Sequence, residues 1–224
     1  MKKIGIVFAM EEELKTFINK VKIINEKDIY DLHFYETDKC IMVVSGVGKV
    51  NAGRTTQVMI DYFDIKCIFN VGIAGGLGND LKVGDIIIGE KLAQHDFDIT
   101  AFNHEKGYIP NTNIYLSSSS ELIKITEDVL EKNYHKGVIA SGDIFVTKKE
   151  MSEKINYKFK ALCVEMEGAS VAQVCYLCKI PFLVLRSISD VPNNNNVITY
   201  EEFLEESSQK ISDVLLKVIE RMGE

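Results

Sequence analysis

Two short segments in the last third of the chain place charged side chains directly after apolar runs. They are Val164-Glu165-Met166-Glu167-Gly168-Ala169 and Leu185-Arg186-Ser187-Ile188-Ser189-Asp190. An open α/β sheet binds its ligand beyond the carboxyl ends of its strands. We therefore expect Glu167, at a strand-to-helix junction, and Asp190, after the next apolar run, to face one crevice. Two carboxylates, an arginine and a methionine around a crevice suggest a sugar that carries a leaving group.

The arginine of the second segment stands inside an apolar strand. A buried guanidinium needs a partner, because an unpaired charge is costly to remove from water. Glu13 and Glu167 are the candidate partners for Arg186. Glu13 itself belongs to the acidic run 11–13 at a helix start, where the helix dipole favours carboxylates whatever their function.

The pattern along the chain alternates short apolar runs with amphipathic helices. Alternation of this kind predicts an α/β protein with a central mixed β-sheet flanked by helices, and 224 residues suit a single domain, 1–224. Strands are predicted at 3–8, 33–36, 40–45, 67–71, 84–94, 137–141, 161–165 and 182–188, and helices at 11–21, 50–63, 120–133, 167–177 and 200–222. Glycines at 72, 75 and 76 follow a strand, where they indicate either a tight turn or a ligand wall of main-chain groups.

Composition excludes several classes of function. The net charge is −7, which disfavours nucleic acid as a partner, because phosphate contacts need a basic face. Apolar runs are too short for a membrane span. Five cysteines, an odd number lying within apolar runs, predict reduced thiols and a cytoplasmic protein. The four histidines show no ligand spacing and no nucleotide-binding glycine motif is present, so we expect neither a metal nor a cofactor.

Several motifs, taken in order, resemble the 5′-methylthioadenosine/S-adenosylhomocysteine nucleosidases, which belong to the purine nucleoside phosphorylase superfamily. The match spans nearly the whole chain. The motifs are Gly5-Ile6-Val7-Phe8-Ala9-Met10-Glu11-Glu12-Glu13, Ser45-Gly46-Val47-Gly48-Lys49, Ala74-Gly75-Gly76-Leu77, Lys82-Val83-Gly84-Asp85-Ile86, Ser141-Gly142-Asp143-Ile144-Phe145, Val164-Glu165-Met166-Glu167 and Ser187-Ile188-Ser189-Asp190. The resemblance implies that family's fold, a homodimer, and hydrolysis of the N-glycosidic bond of 5′-thio-substituted adenosines.

The resemblance also assigns the catalytic pair. Asp190 matches the acid that protonates the purine, and Glu13 matches the base that activates water. The residue types suit the chemistry, since an oxocarbenium-like sugar leaves when one carboxyl group assists the leaving group and another handles water. A carboxyl group serves as an acid near neutral pH where burial favours its neutral form.

Binding residues are implied in the same way. Glu167 matches the residue that binds the ribose hydroxyls, with Met166 and Arg186 beside the sugar and Ser189 orienting the acid. The purine is expected against Phe145, Val146 and Gly75, and the 5′-thio tail against Met10, Val47 and Tyr200. Phe145 and Tyr200 could instead be core aromatics.

The segment 99–110 is implied to complete the neighbouring subunit's site through Ile99, Phe102 and Pro110. An exposed apolar loop of this kind is hard to explain on a monomer, which is a separate reason to expect a homodimer.

Ile73 departs from the family pattern, because some members carry a serine or threonine there to position the attacking water. Two alternatives remain beside the nucleosidase. One is a phosphate-dependent purine nucleoside phosphorylase, which would need an anion site, although the chain has only three arginines, Arg54, Arg186 and Arg221. The other is a non-catalytic nucleoside-binding protein, which has no need of an acid and a base.

Overall fold

The computed structural model describes residues 2–77, 80–132, 134–191 and 196–223, with side chains in the last range described from Tyr200 onward. Within these residues the chain forms strands and helices that alternate along the sequence. The strands are β1 Lys3–Phe8, β2 Asn25–Ile29, β3 Leu32–Glu36, β4 Cys40–Val44, β5 Ile65–Gly76, β6 Ile86–Gln94, β7 Leu116–Ser117, β8 His135–Ser141, β9 Ala161–Glu165 and β10 Phe182–Asp190. The helices are α1 Glu11–Ile18, α2 Lys49–Tyr62, α3 Ser120–Leu130, α4 Lys149–Phe159, α5 Gly168–Cys178 and α6 Asn196–Arg221, with a 3₁₀ turn at Thr100–Phe102.

One mixed sheet connects all of these strands, in the order β10-β6-β8-β9-β5-β1-β4-β3-β2, with β7 paired to β6. Strand β5 also pairs with β10. The five strands β5, β10, β6, β8 and β9 therefore close into a ring, and β1, β4, β3 and β2 extend from it. The expected mixed α/β architecture is confirmed. The closure of five strands into a ring is a further feature of the sheet.

The helices cover both faces of the sheet. Helices α2 and α5 pack on one face, where Met59 and Val171 join the strand residue Val184 in a single cluster. Helices α1, α3 and α6 pack on the other face, where Phe17 and Leu215 meet Phe69. Strands buried on both sides need apolar side chains in both directions, which explains the continuous apolar runs of β1, β5 and β10.

The predicted elements are found with shifted ends. The hairpin formed by β3 and β4 is confirmed, with Phe34 opposite Val43. Strand β5 runs further than predicted, through the glycines at 72, 75 and 76, because β10 pairs with it as far as Gly75 and β9 pairs with Gly75 and Gly76. Strands β2 and β7 and helix α4 were not predicted from the sequence. Strand β2 lacks an apolar pattern that would predict it, since four of its five residues are exposed and polar.

The carboxyl ends of several strands meet at one place. Ala9 follows β1, Gly75 lies near the end of β5, Glu165 ends β9 and Asp190 ends β10. The pairing of β10 with β5 shifts register between Ile188 and Asp190. This bulge brings Asp190 opposite Gly75, and the site is built around these strand ends.

Candidate active site

A cavity of about 360 Å³ opens at these strand ends. Its wall combines apolar side chains with four buried carboxylates and the exposed Glu201. The lining residues are Ala9, Met10, Glu13, Val47, Ile73, Ala74, Gly75, Ile144, Phe145, Val146, Val164, Glu165, Met166, Glu167, Ser189, Asp190, Tyr200 and Glu201. Eleven residues predicted from the sequence are among them, and the four predicted residues that are not are Arg186, Ile99, Phe102 and Pro110.

Glu13 enters the cavity from the first turn of α1 and is held by main-chain amides. Its Oε2 accepts hydrogen bonds from Ala9 N at 2.9 Å and Met10 N at 3.2 Å, and its Oε1 accepts one from Ile73 N at 3.1 Å. Glu11 and Glu12 are exposed, whereas Glu13 is only 3% exposed. Burial raises the pKa of Glu13, although the positive charge of Arg186 and the three amides oppose that shift.

Asp190 enters from the end of β10 and is 2% exposed. Ser189 Oγ donates to Asp190 Oδ1 at 2.8 Å. The serine is itself completely buried, so its rotation is restricted and the carboxylate of Asp190 is fixed in direction. The structure thus brings Asp190 and Glu13, which are 177 positions apart in sequence, to one cavity.

Glu167 is the residue that precedes α5 and serves as its N-cap position. Its Oε1 accepts a hydrogen bond from Gly48 N at 2.7 Å, at the start of α2. Burial raises the pKa of Glu167 to about 8, and the neighbouring charge of Glu165 adds to the shift. A carboxyl group in this setting exchanges its proton near neutral pH.

Glu165 lies two residues earlier, at the end of β9, and is also buried. Its Oε2 accepts from Glu167 N at 3.0 Å and Gly168 N at 2.7 Å, which are the free amides at the start of α5. Its Oε1 accepts a hydrogen bond from Ser141 Oγ. No role for this residue was predicted from the sequence. The signal that could have indicated one is the pair of glutamates on either side of Met166 at the end of a strand.

Arg186 lies below the cavity and is 2% exposed. The candidate partners Glu13 and Glu167 were wrong: its Nη2 pairs with Glu165 and with Asn70 Oδ1. Its Nη1 donates to Asn70 O at 3.1 Å and Leu185 O at 3.0 Å. The guanidinium is therefore tied to the sheet, and its charge acts on the cavity from beneath.

The remaining wall is apolar and partly aromatic. The rings of Phe145 and Tyr200 meet edge to face, with centroids 5.5 Å apart. Tyr200 OH lies 3.3 Å from Met10 Sδ. Phe145 is 44% exposed, which fits a cavity wall better than a core aromatic. Ile73 also lines the cavity, and its main-chain amide serves Glu13.

The segment 99–110 stands away from this cavity within the same chain. Phe102 belongs to the 3₁₀ turn and is 75% exposed, and Pro110 is also exposed. Ile99, which precedes the turn, is half-buried. These three residues are therefore not brought to the cavity of their own chain.

Among the residues that the structure describes, no group of three or more histidine, cysteine or acidic side chains could hold a metal ion. Within the same residues, no helix combines the length and the apolar character that a membrane span requires.

Comparison with known proteins gives a consistent result. The family model described as the phosphorylase superfamily matches residues 3–220. The chain is 37% identical to the 5′-methylthioadenosine/S-adenosylhomocysteine nucleosidase of Bacillus licheniformis over 99% of this chain and 100% of that protein.

Solved structures from Helicobacter pylori are similar over most of their length. An aspartate-to-asparagine mutant of its nucleosidase with 5′-methylthioadenosine in the active site has a TM-score of 0.95 and 36% identity, covering 98% of this chain and 99% of that one. A native structure named futalosine hydrolase has a TM-score of 0.94 and 37% identity, covering 98% and 97%. The chain belongs to the 5′-methylthioadenosine/S-adenosylhomocysteine nucleosidase family of the phosphorylase superfamily.

Proposed function

We propose that this protein hydrolyses the N-glycosidic bond of 5′-methylthioadenosine and S-adenosylhomocysteine, and also of 5′-deoxyadenosine. The products are adenine and the 5-substituted ribose, as in methionine salvage and the recycling of adenosylmethionine by-products. The observation that carries the proposal is the convergence of Glu13, Glu167 and Asp190 on one cavity with an aromatic and apolar wall. This arrangement suits a nucleoside whose bond breaks with positive charge on the sugar.

Asp190 is the acid in this proposal. A purine leaves poorly as an anion, and a proton delivered to its ring nitrogen N7 lets it leave as neutral adenine. The hydrogen bond from Ser189 to one carboxyl oxygen of Asp190 fixes the direction of the carboxyl group beside the base. The pair of electrons of the glycosidic bond goes to the purine as the bond breaks.

Glu13 is the base that takes a proton from the attacking water. Three main-chain amides fix its position, which removes the cost of orienting it during the reaction. Its raised pKa makes it a better proton acceptor than an exposed carboxylate. Ile73 contributes its amide but no hydroxyl, so the water depends on Glu13 for its orientation.

Glu167 binds the ribose hydroxyls, and Met166 packs beside the sugar. In its ionised form Glu167 accepts hydrogen bonds from both hydroxyls, and the charge of that form favours the positive charge that builds on the ring. Phe145, Val146 and Gly75 hold adenine in this scheme. Met10, Val47 and Tyr200 surround the 5′-thio group, which the closeness of Tyr200 to Met10 supports.

A phosphorylase is disfavoured by the charges around the cavity. A phosphate site needs arginines or exposed amides, but no lysine or arginine is among the described residues that line the cavity. Arg54 is exposed on α2 and paired with Asp31. Arg186 is held by Glu165 and Asn70. Glu13 would in addition repel phosphate from the position of the nucleophile.

We further propose that the protein is a cytoplasmic homodimer. Phe102 is exposed in a segment that serves no part of its own cavity, and a second copy would bury it against the neighbouring site. Five free cysteines, four of them buried, suit a reducing compartment.

The test incubates purified protein with 5′-methylthioadenosine in phosphate-free buffer and follows adenine and methylthioribose. Asp190→Asn should abolish adenine release while binding of a non-hydrolysable 5′-thio-adenosine analogue persists. Formation of a thioribose 1-phosphate, or a strict need for phosphate, would favour the phosphorylase. Analogue binding without any turnover by the unaltered protein would favour the non-catalytic nucleoside-binding protein.

A further inference from the structure

Glu165 is a buried carboxylate to which the proposed reaction gives no task. It accepts hydrogen bonds from three separate elements of the fold: Ser141 at the end of β8, the first amides of α5, and Arg186 on β10. Four donors on one carboxylate satisfy its charge completely. A residue that binds this many elements beside the cavity fixes their relative positions.

One of these contacts controls the direction of Glu167. Glu165 Oε2 accepts from Glu167 N at 3.0 Å, so the main chain of Glu167 is anchored two residues away from its own carboxylate. The side chain of Glu167 is then held at its far end by Gly48 N. With both ends fixed, the carboxylate of Glu167 stays turned to the cavity.

A second contact, the ion pair between Glu165 and Arg186, affects the charges of the carboxylates around the cavity. The guanidinium of Arg186 faces three carboxylates, those of Glu165, Glu13 and Glu167, and lowers the pKa of the last two. It makes its direct ion pair with Glu165. The negative charge of Glu165 therefore offsets most of the effect of Arg186 on Glu13 and Glu167. The burial of these two residues keeps their pKa values raised.

We propose that Glu165 is a positioning residue that aims Glu167 at the ribose and holds Arg186 away from the base Glu13. This proposal rests on the proposed function of the cavity. Through its contacts Glu165 sets both the geometry of the sugar-binding carboxylate and the proton affinity of the base.

Other titratable groups surround this cluster and must be considered in any pH experiment. They come from every element packed against it: Glu12 and Glu13 on α1, His95 after β6, Cys163 on β9, Glu167 before α5, Arg186 and Asp190 on β10, and Tyr200 on α6. His95 is buried and its pKa is lowered, mainly by that burial.

Glu165→Gln is the first variant, and kcat and KM for 5′-methylthioadenosine are measured from pH 4.5 to 9. Removing the negative charge frees Arg186 to stabilise the ionised forms of Glu13 and Glu167. The acidic limb of the kcat/KM profile should therefore move down by about one pH unit or more. At the optimum, kcat/KM should fall by about 10²-fold, because Glu167 loses its anchor.

Glu165→Asp keeps the charge but shortens the side chain. It should lower kcat/KM at the optimum and leave the acidic limb where it is in the unaltered protein. If Glu165→Gln does not fold, Glu165→Asp still tests the positioning role, because an unchanged kcat/KM in that variant overturns it. The exposed Glu153 on α4 supplies a control, Glu153→Gln, that should change neither quantity.

The proposal is overturned if Glu165→Gln loses thermal stability but keeps the acidic limb and the kcat/KM of the unaltered protein. Failure of the proposed function is a different result, since the unaltered protein would then release no adenine at any pH.

Discussion

A methyl group on Gly72 would overlap with Oε1 of Glu13, because it would lie closer to that oxygen than two unbonded atoms can approach. Gly72 lies in β5, directly before Ile73, whose amide binds that same oxygen. The strand can therefore pass against the carboxylate only because this position has no side chain. A residue without functional groups thus determines where the proposed base sits.

Gly72→Ala should displace Glu13 from its three amides. Because general-base catalysis contributes about 10²- to 10⁴-fold, we expect kcat to fall by about 10²-fold or more. Binding of a substrate analogue should change much less, since adenine and the thio tail contact other residues. Steady-state kinetics together with calorimetric titration of the analogue measure the two effects.

Gly76→Ala is the matched control, because it lies in the same strand but its added methyl group meets Ile188 at 3.3 Å and does not approach Glu13. It should keep most of the kcat of the unaltered protein. Equal losses of kcat in both variants would show that the strand, and not the contact with Glu13, is responsible.

Glu167 makes the stability of the protein depend on pH. Its pKa is raised to about 8 in the folded state, against 4.5 as the ordinary value. The folded state therefore holds a proton on Glu167 that the unfolded state has lost between these two values. Stability decreases as pH rises through this window, since the unfolded state binds fewer protons there.

Glu167→Gln removes the group that titrates. The free energy of unfolding of this variant should fall less between pH 5 and pH 8 than that of the unaltered protein, as measured by urea unfolding at both pH values. Glu150→Gln, on the exposed face of α4, serves as the control and should follow the unaltered protein. Parallel pH dependence for Glu167→Gln and the unaltered protein would contradict the raised pKa.

Phe145 is expected to supply binding energy for adenine. Base–aromatic stacking is worth about 1–3 kcal/mol where alanine substitution has measured it, so Phe145→Ala should raise KM by about 5- to 150-fold. The loss should appear in KM more than in kcat, because stacking is similar in the ground and transition states. Tyr157→Ala, at a position 78% exposed on α4, is the control and should leave KM unchanged.

Much of the fold follows from the sequence because its signals are local. The apolar runs of β1, β9 and β10 and the helical period of α2 and α5 predict these elements within a few residues. The extension of β5 through Gly76 does not follow, because glycines usually mark turns. In this chain β10 pairs with Gly72 and Gly75, and β9 pairs with Gly75 and Gly76. Only the three-dimensional arrangement reveals these partners.

The site likewise has features that the sequence predicts and features that it does not. Residue types and the family resemblance were enough to select eleven of the residues that line the cavity. They did not give the partner of Arg186, since Glu13, Glu165 and Glu167 are chemically equivalent candidates. The choice of Glu165 depends on β9 and β10 both ending near α5, so that one carboxylate reaches the helix amides and the guanidinium together.

Phe102 provides the test of the proposed dimer. In the proposed assembly this exposed ring inserts into the neighbouring subunit, where it completes the pocket for the 5′-thio tail. Phe102→Ser should therefore weaken association and raise KM for 5′-methylthioadenosine. Analytical ultracentrifugation across a dilution series measures the first effect, and kinetics at matched concentrations measure the second.

Tyr157→Ser removes an equally exposed aromatic ring from α4 and should change neither quantity. The two measurements are linked, because a ring that serves the partner's pocket must affect KM only while the subunits are together. The KM of the unaltered protein should accordingly rise on dilution toward that of Phe102→Ser. A protein that sediments as a monomer at every concentration, with a constant KM, would exclude a shared site.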